Sequence, residues 1–173
     1  MQLIRCTSKL LREAGLKPKN LRQQEPRFSF LGQWHANLIY IDRSKCVLFV
    51  NDRTLFNFIA PGVTRVQIRD LGELFRDLLG CVLSAEDIPQ EVTDSILSEY
   101  AEIGFAKSSD RSVLGCSNDF AYHYKFRISE AGGIHSWRVP EIIREMNRMP
   151  MYASTPRSMY PFRELRSLYG IAV

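Results

Sequence analysis

No apolar run in this chain approaches the eighteen or so residues that a membrane-crossing helix needs, and stretches such as Cys46 to Val50 are far shorter. The first fifteen residues, MQLIRCTSKLLREAG, scatter charges among their apolar positions and so lack the uninterrupted core of a signal peptide. Both absences lead to the expectation of a cytoplasmic protein without membrane contact. Cysteine is scarce and dispersed. Cys6, Cys46, Cys81 and Cys116 form no C-x-x-C pair and have no histidine at ligand spacing, so no metal site is expected and the thiols read as small apolar side chains. The phosphate-binding signatures G-x-x-x-x-G-K-[ST] and strand-linked G-x-G-x-x-G are missing, which argues against a nucleotide-hydrolysing machine. No cofactor is expected. Internal repeats and low-complexity tracts are also lacking.

What is present is an ordinary globular composition: 173 residues, 45% apolar and 24% charged. That length and balance predict a single compact domain over residues 1–173. The net charge of +4 conceals a segregation. Residues 1–27 carry seven Lys/Arg against two Asp/Glu, residues 28–124 carry eight against thirteen, and residues 125–173 carry eight against four. Basic ends around an acidic middle suit either a polyanion-binding surface or solvated charge on ordinary exposed faces.

The stretch Leu31–Gly62 holds three β-rich apolar runs separated by two polar breaks, and it predicts a three-stranded antiparallel meander at about residues 34–60. The breaks are Asp42-Arg43-Ser44-Lys45, before a central strand from Cys46 to Val50, and Asn51-Asp52-Arg53, before a strand from Thr54 to Ala60. Along the first strand Trp34, Ala36, Leu38 and Tyr40 alternate with His35, Asn37, Ile39 and Ile41, with apolar residues on both faces near the end, so a helix should cover at least part of the second face. Ahead of the meander, Gln2–Cys6 reads as a strand, and Thr7 or Ser8 caps a helix that Gly15 ends. From Asp70 the period changes. Leu71, Leu74, Phe75, Leu78 and Leu79 form a helical stripe that Gly80 can end, and a second helix from Pro89 turns Val92, Ile96, Tyr100 and Ile103 inward. Ser117 to Ser129 alternates like a strand, but a Ser117 N-cap, the spacing of Phe120, Tyr124 and Ile128, and the stop at Gly132-Gly133 favour a helix. Further helices begin near Pro140 and Pro161. The fold class expected is α+β: a small, mainly antiparallel sheet packed by several helices from both ends of the chain.

Two blocks, LGQWHANLIYIDRSKCVLFVNDRTLFNFIAPG and AKSSDRSVLGCSNDFAY, carry a family likeness. They resemble an uncharacterised bacterial family of small proteins, one of the domains of unknown function, whose members share a W-H-A-N-L strand, an I-D-R-x-K-C turn and an R-S-V-L-G-x-x-N-D block. The resemblance extends over most of the chain. It implies the layout and brings no activity, cofactor or catalytic residue.

Three candidate sites follow from the residues themselves. If Ser117 caps a helix, the free N–H groups around Ser117 and Asn118 would receive an anion, with Arg111 as its charge partner and Ser112 nearby. The same block has Gly115 and Ser117 of a G-x-S-x-G elbow, but Asp119 fills the last glycine position and makes a serine hydrolase improbable. On the meander, Trp34, His35 and Asn37 form the second candidate, with His35 and Asn37 on one strand face, about 7 Å apart at the backbone. The third is basic surface. Lys17, Lys19, Arg22 and Arg27 stand in the early loop, and Arg144, Arg148, Arg157, Arg163 and Arg166 stand near the C-terminus among Tyr152, Tyr160 and Tyr169. If these groups meet, their natural partner is nucleic acid or an acidic protein. The leading functional expectation is therefore a binding protein for nucleic acid or an acidic macromolecular partner. The alternatives are a small enzyme acting on a phosphate-bearing substrate, with His35 as acid/base, and a protein-binding inhibitor or toxin/antitoxin-type module.

Overall fold

The computed structural model describes residues 1–22, 29–152 and 158–172. Its elements run β1 (Gln2–Cys6), α1 (Ser8–Ala14), a short 3-10 turn (Pro18–Asn20), β2 (Trp34–Ile41), β3 (Ser44–Asn51), β4 (Asn57–Ala60), α2 (Arg65–Arg69), α3 (Leu71–Ala85), α4 (Gln90–Glu99), β5 (Ile103–Lys107), α5 (Arg111–Glu130), α6 (Val139–Asn147) and α7 (Pro161–Leu168). The class is α+β. The meander β2-β3-β4 forms in antiparallel register as expected, but β1 and β5 join it by parallel pairing, giving a mixed sheet of order β4-β3-β2-β1-β5. A parallel neighbour needs a crossover, which α1 and the loop after it supply between β1 and β2.

Alternation sorts the sheet into two faces. Trp34, Phe49 and Phe58 meet Phe75 of α3 and Tyr100 beyond α4 in a fully buried aromatic cluster, with Trp34 and Phe75 centroids 5.2 Å apart and Phe75 and Tyr100 5.4 Å apart. The polar atoms in this cluster are matched: Trp34 Nε1–H donates to the Tyr100 hydroxyl at 3.0 Å, and that hydroxyl donates to the Gly32 carbonyl at 2.6 Å. On the other face Phe120, Tyr124 and Ile128 of α5 are buried, and Asn57 of β4 accepts from the Tyr124 hydroxyl at 2.8 Å. Asn57 also gives its backbone N–H to Asn147 of α6 at 2.9 Å and accepts the Asn147 amide on its carbonyl at 2.8 Å.

Several boundaries depart from the sequence reading. The first turn is only Asp42-Arg43, both at positive φ (47° and 68°), the backbone of a two-residue hairpin loop, so β3 starts at Ser44. At the second turn the buried Asn51 side chain accepts from the N–H groups of Arg53 and Thr54 and donates to the carbonyls of Leu31 and Gln33. These bonds hold residues 52–56 out of the ladder and delay β4 to Asn57. Gly80 does not end α3, which continues to Ala85. A Cβ at position 80 would lie 3.3 Å from Leu97 Cδ1, so the glycine lets α4 approach closely. Ile103 is not the last inward residue of a helix but the first of β5. Beside it, Gly104 lies where a Cβ would sit 3.0 Å from Arg22 Cγ and 3.1 Å from Leu3 Cδ2. Ser117 to Ser129 is helical, but its helix begins at Arg111, six residues before the expected cap.

Candidate functional site

β1 and β5 are parallel neighbours, and the chain leaves them toward opposite faces of the sheet. After β1 it enters α1, on the side where Lys9 Nζ lies 4.3 Å from the Tyr40 ring centroid; after β5 it enters α5, on the side of His35. Where adjacent parallel strands diverge in this way, a crevice opens at their carboxyl ends, the place where sheets with parallel strands commonly receive ligands. Its edges here are Thr7-Ser8-Lys9 and Lys107-Ser108-Ser109-Asp110-Arg111-Ser112.

Backbone bonds fix this junction. Ser108 N–H donates to the Cys6 carbonyl at 2.9 Å, and Thr7 N–H donates to the Ala36 carbonyl at 3.0 Å. The Thr7 hydroxyl donates to Asn37 Oδ1 at 3.3 Å. Asp110 is the N-cap of α5, accepting from the N–H groups of Ser112 (2.8 Å) and Val113 (3.2 Å). On the α1 side of this junction lies a groove of about 460 Å³ lined by Ser8, Arg12, Lys17 and Lys107 among others. Ser8 and three cations thus border that groove, while the Asp110 carboxylate is engaged with its own helix.

Beneath the crevice lies a row fixed by strand register: Ala106, Arg5, His35, Val50 and Asn57 stand side by side across β5, β1, β2, β3 and β4. His35 is 4% exposed and its Nδ1 lies 2.8 Å from Ser108 Oγ. Burial lowers its pKa to about 4; the Asp110 carboxylate opposes that shift and the Arg5 cation adds to it. At neutral pH the ring is uncharged. Arg5 Nε donates to Gln33 Oε1 at 2.6 Å, and Gln33 N–H donates to Asp52 Oδ1 at 3.0 Å. Burial raises Asp52 to about 6, with the Gln33 N–H and Arg5 pulling against it and Asp110 adding to it.

The residues expected to form one ligand site are only partly brought together. His35 and Asn37 face the crevice side through Ser108 and Thr7, and Arg111 and Ser112 follow Asp110 in the first turn of α5. Trp34 points through the opposite face into the aromatic cluster. Ser117 is 2% exposed in the body of α5 and caps nothing, and Asn118 is exposed on the same helix well past its first turn. The helix start at which an anion site was expected lies instead at Arg111, with Asp110 as its cap. In the sequence Lys107, Ser108 and Asp110 do not stand out, and Thr7 reads only as a helix cap. The usable signal was Asp110 directly ahead of Val113, Cys116 and Phe120, an N-cap before a helical stripe.

The expected polyanion contacts fall into two groups. Lys17 caps the 3-10 turn and Lys19 lies within it, and Arg22 donates its N–H to the Phe105 carbonyl of β5 at 2.8 Å; Arg27 lies outside the described residues. Arg148 instead belongs with α6, beside β4 at the opposite edge of the sheet, where it pairs with Glu86. Arg163 lies over Tyr160 and Arg166 over Phe162, while Arg157 lies outside the described residues. Among the described residues no three His, Cys, Asp or Glu side chains are grouped to hold a metal ion, and no helix is long and apolar enough to cross a membrane.

No curated protein matches the chain, and no solved structure does. A family model matches residues 3–164, from β1 into α7. The chain belongs to the family described as Domain of unknown function (DUF6933).

Proposed function

We propose that this protein binds a small phosphate-bearing ligand in the crevice at the carboxyl ends of β1 and β5. The observation that carries the reading is the divergence of two adjacent parallel strands into helices on opposite faces, with Ser8, Arg12, Lys17 and Lys107 lining the groove on the α1 side and Ser108, Ser109 and Arg111 following β5 into α5. His35 supports the site as an uncharged partner of Ser108 beneath its floor. The test is a titration of the protein with inorganic phosphate and with a nucleoside monophosphate, followed by backbone amide NMR shifts. Saturable shifts at Lys107, Ser108 and Ser109, weakened in Lys107→Glu and Arg111→Glu, are expected; shifts confined to other regions, or none at millimolar ligand, would remove the reading.

The macromolecular polyanion reading has less support. Its two basic groups are anchored at opposite sheet edges, and Glu86 already engages Arg148, with Arg144 close by.

A further inference from the structure

The edge of the sheet at β4 carries a second concavity, unconnected with the crevice. α3 lies on one face of the sheet and α6 on the other, and around β4 their side chains meet in a groove of about 420 Å³. Ile59, Leu78, Val82, Ile134, Val139 and Ile143 give it an apolar wall. Its polar groups are Arg144, next to the buried carboxylate of Glu86, and His135 and Ser136 on the loop before α6. That volume and that lining, apolar walls with very few polar groups, are those of a small-molecule site.

The charges at the groove decide what class of molecule suits it. Glu86 is neutralised from one side: Arg148 Nη1 donates to its Oε1 at 3.0 Å, and Nη2 stands 2.7 Å from Oε2. Arg144 has looser company. Its Nε is 3.9 Å from Glu86 and its Nη2 is 3.7 Å from Asp87, both beyond hydrogen-bond distance, and the Asp87 side chain is 86% exposed. A solvated carboxylate at that range holds a guanidinium weakly, so Arg144 is placed to form a closer pair with an incoming anion. We infer that this groove binds an amphiphilic monocarboxylate, a medium-length alkyl chain against the apolar wall with its carboxylate on Arg144.

The groove shares a reporter with the neighbouring cleft that Gly72, Arg76 and Leu97 line, and the Arg144 variant below tells the two apart. Of the four cysteines Cys81 alone is exposed, and it lines this groove, whereas Cys6, Cys46 and Cys116 are buried. The experiment is the rate of Cys81 alkylation by iodoacetamide on the full chain, read by peptide mass spectrometry, with decanoate or decan-1-ol added below their aggregation limits. Decanoate is expected to slow alkylation in a saturable way, with decan-1-ol of the same chain length binding roughly tenfold more weakly, the discrimination of a charge-assisted pair. Arg144→Gln should abolish that difference, and Asp87→Asn, which removes the competing carboxylate, should tighten decanoate while leaving decan-1-ol unchanged. Both residues are exposed, and circular dichroism checks that the variants are folded. No protection by decanoate, equal protection by the two compounds in the wild type, or an unchanged preference in Arg144→Gln would each overturn the inference.

Discussion

His35 and Asp52 lie under the same part of the sheet surface, yet their titrations push stability in opposite directions. The folded-state pKa of His35, about 4, lies below the ordinary 6.5 of histidine. Its contribution is therefore present above pH 6.5 and is lost as pH falls toward 4, where the unfolded chain takes up the proton more readily. Asp52, raised from 3.8 to about 6, behaves conversely: its contribution is complete below pH 3.8 and is lost as pH rises through 6. Between about pH 4 and 6.5 the two trends offset each other. Single substitutions should separate them. Asp52→Asn keeps an acceptor for the Gln33 N–H and is expected to gain stability relative to wild type, on the order of 1 kcal/mol, between pH 4 and pH 7.5. His35→Gln removes that offset and leaves the Asp52 trend alone, so the stability of the variant should rise as pH falls from 7 to 4.5 while that of wild type changes less. Urea unfolding across this range measures both, and parallel pH profiles for wild type and variants would refute the assignment.

At the scale of elements, Gly80 and Asp110 show why boundaries escape a reading of the sequence. A glycine after a helical stripe reads as a stop, and only the position of Leu97, seventeen residues later, reveals that Gly80 is a contact instead. Gly80→Ala should be close to neutral, because a gain in helix propensity of up to about 1 kcal/mol is set against displacement of Leu97. Gly80→Val should cost about 1–3 kcal/mol by forcing α3 and α4 apart, measured by urea unfolding at pH 7. Asp110 carries the opposite lesson. Ser117 offers a capping side chain ahead of a good stripe, but Asp110 does so about two turns earlier and captures the N–H groups of Ser112 and Val113. Asp110→Ala should lower stability by about 1 kcal/mol and raise amide exchange in the first turn of α5, while Ser117→Ala leaves that turn unchanged. Helices and hairpins rest on local periodicity and so were readable; the proposed site was not, because it lies where two segments about a hundred residues apart are set side by side.

For the whole molecule, the meander was legible because each strand pairs with its sequence neighbour. The parallel additions were not, since the pairing of Gln2–Cys6 with Ile103–Lys107 leaves no trace in either segment alone. The same holds for the bond network that ties the sheet to its helices. Asn57, Tyr124 and Asn147 come from β4, α5 and α6, and their polar atoms satisfy one another in a fully buried setting. Tyr124→Phe removes one hydroxyl and leaves Asn57 Oδ1 without its donor, so a loss of about 1–2 kcal/mol is expected. Asn147→Ala strands both the N–H and the carbonyl of Asn57 at the sheet edge and opens a void beside α6, so its cost should be larger, about 2–4 kcal/mol. Because both substitutions act on Asn57, the double variant should fall short of the sum of the singles by at least about 0.5 kcal/mol. A double-mutant cycle from urea unfolding at pH 7 measures that coupling. Strict additivity would mean that α5 and α6 are held to the sheet independently, and that Asn57 is not the point at which the three elements are joined.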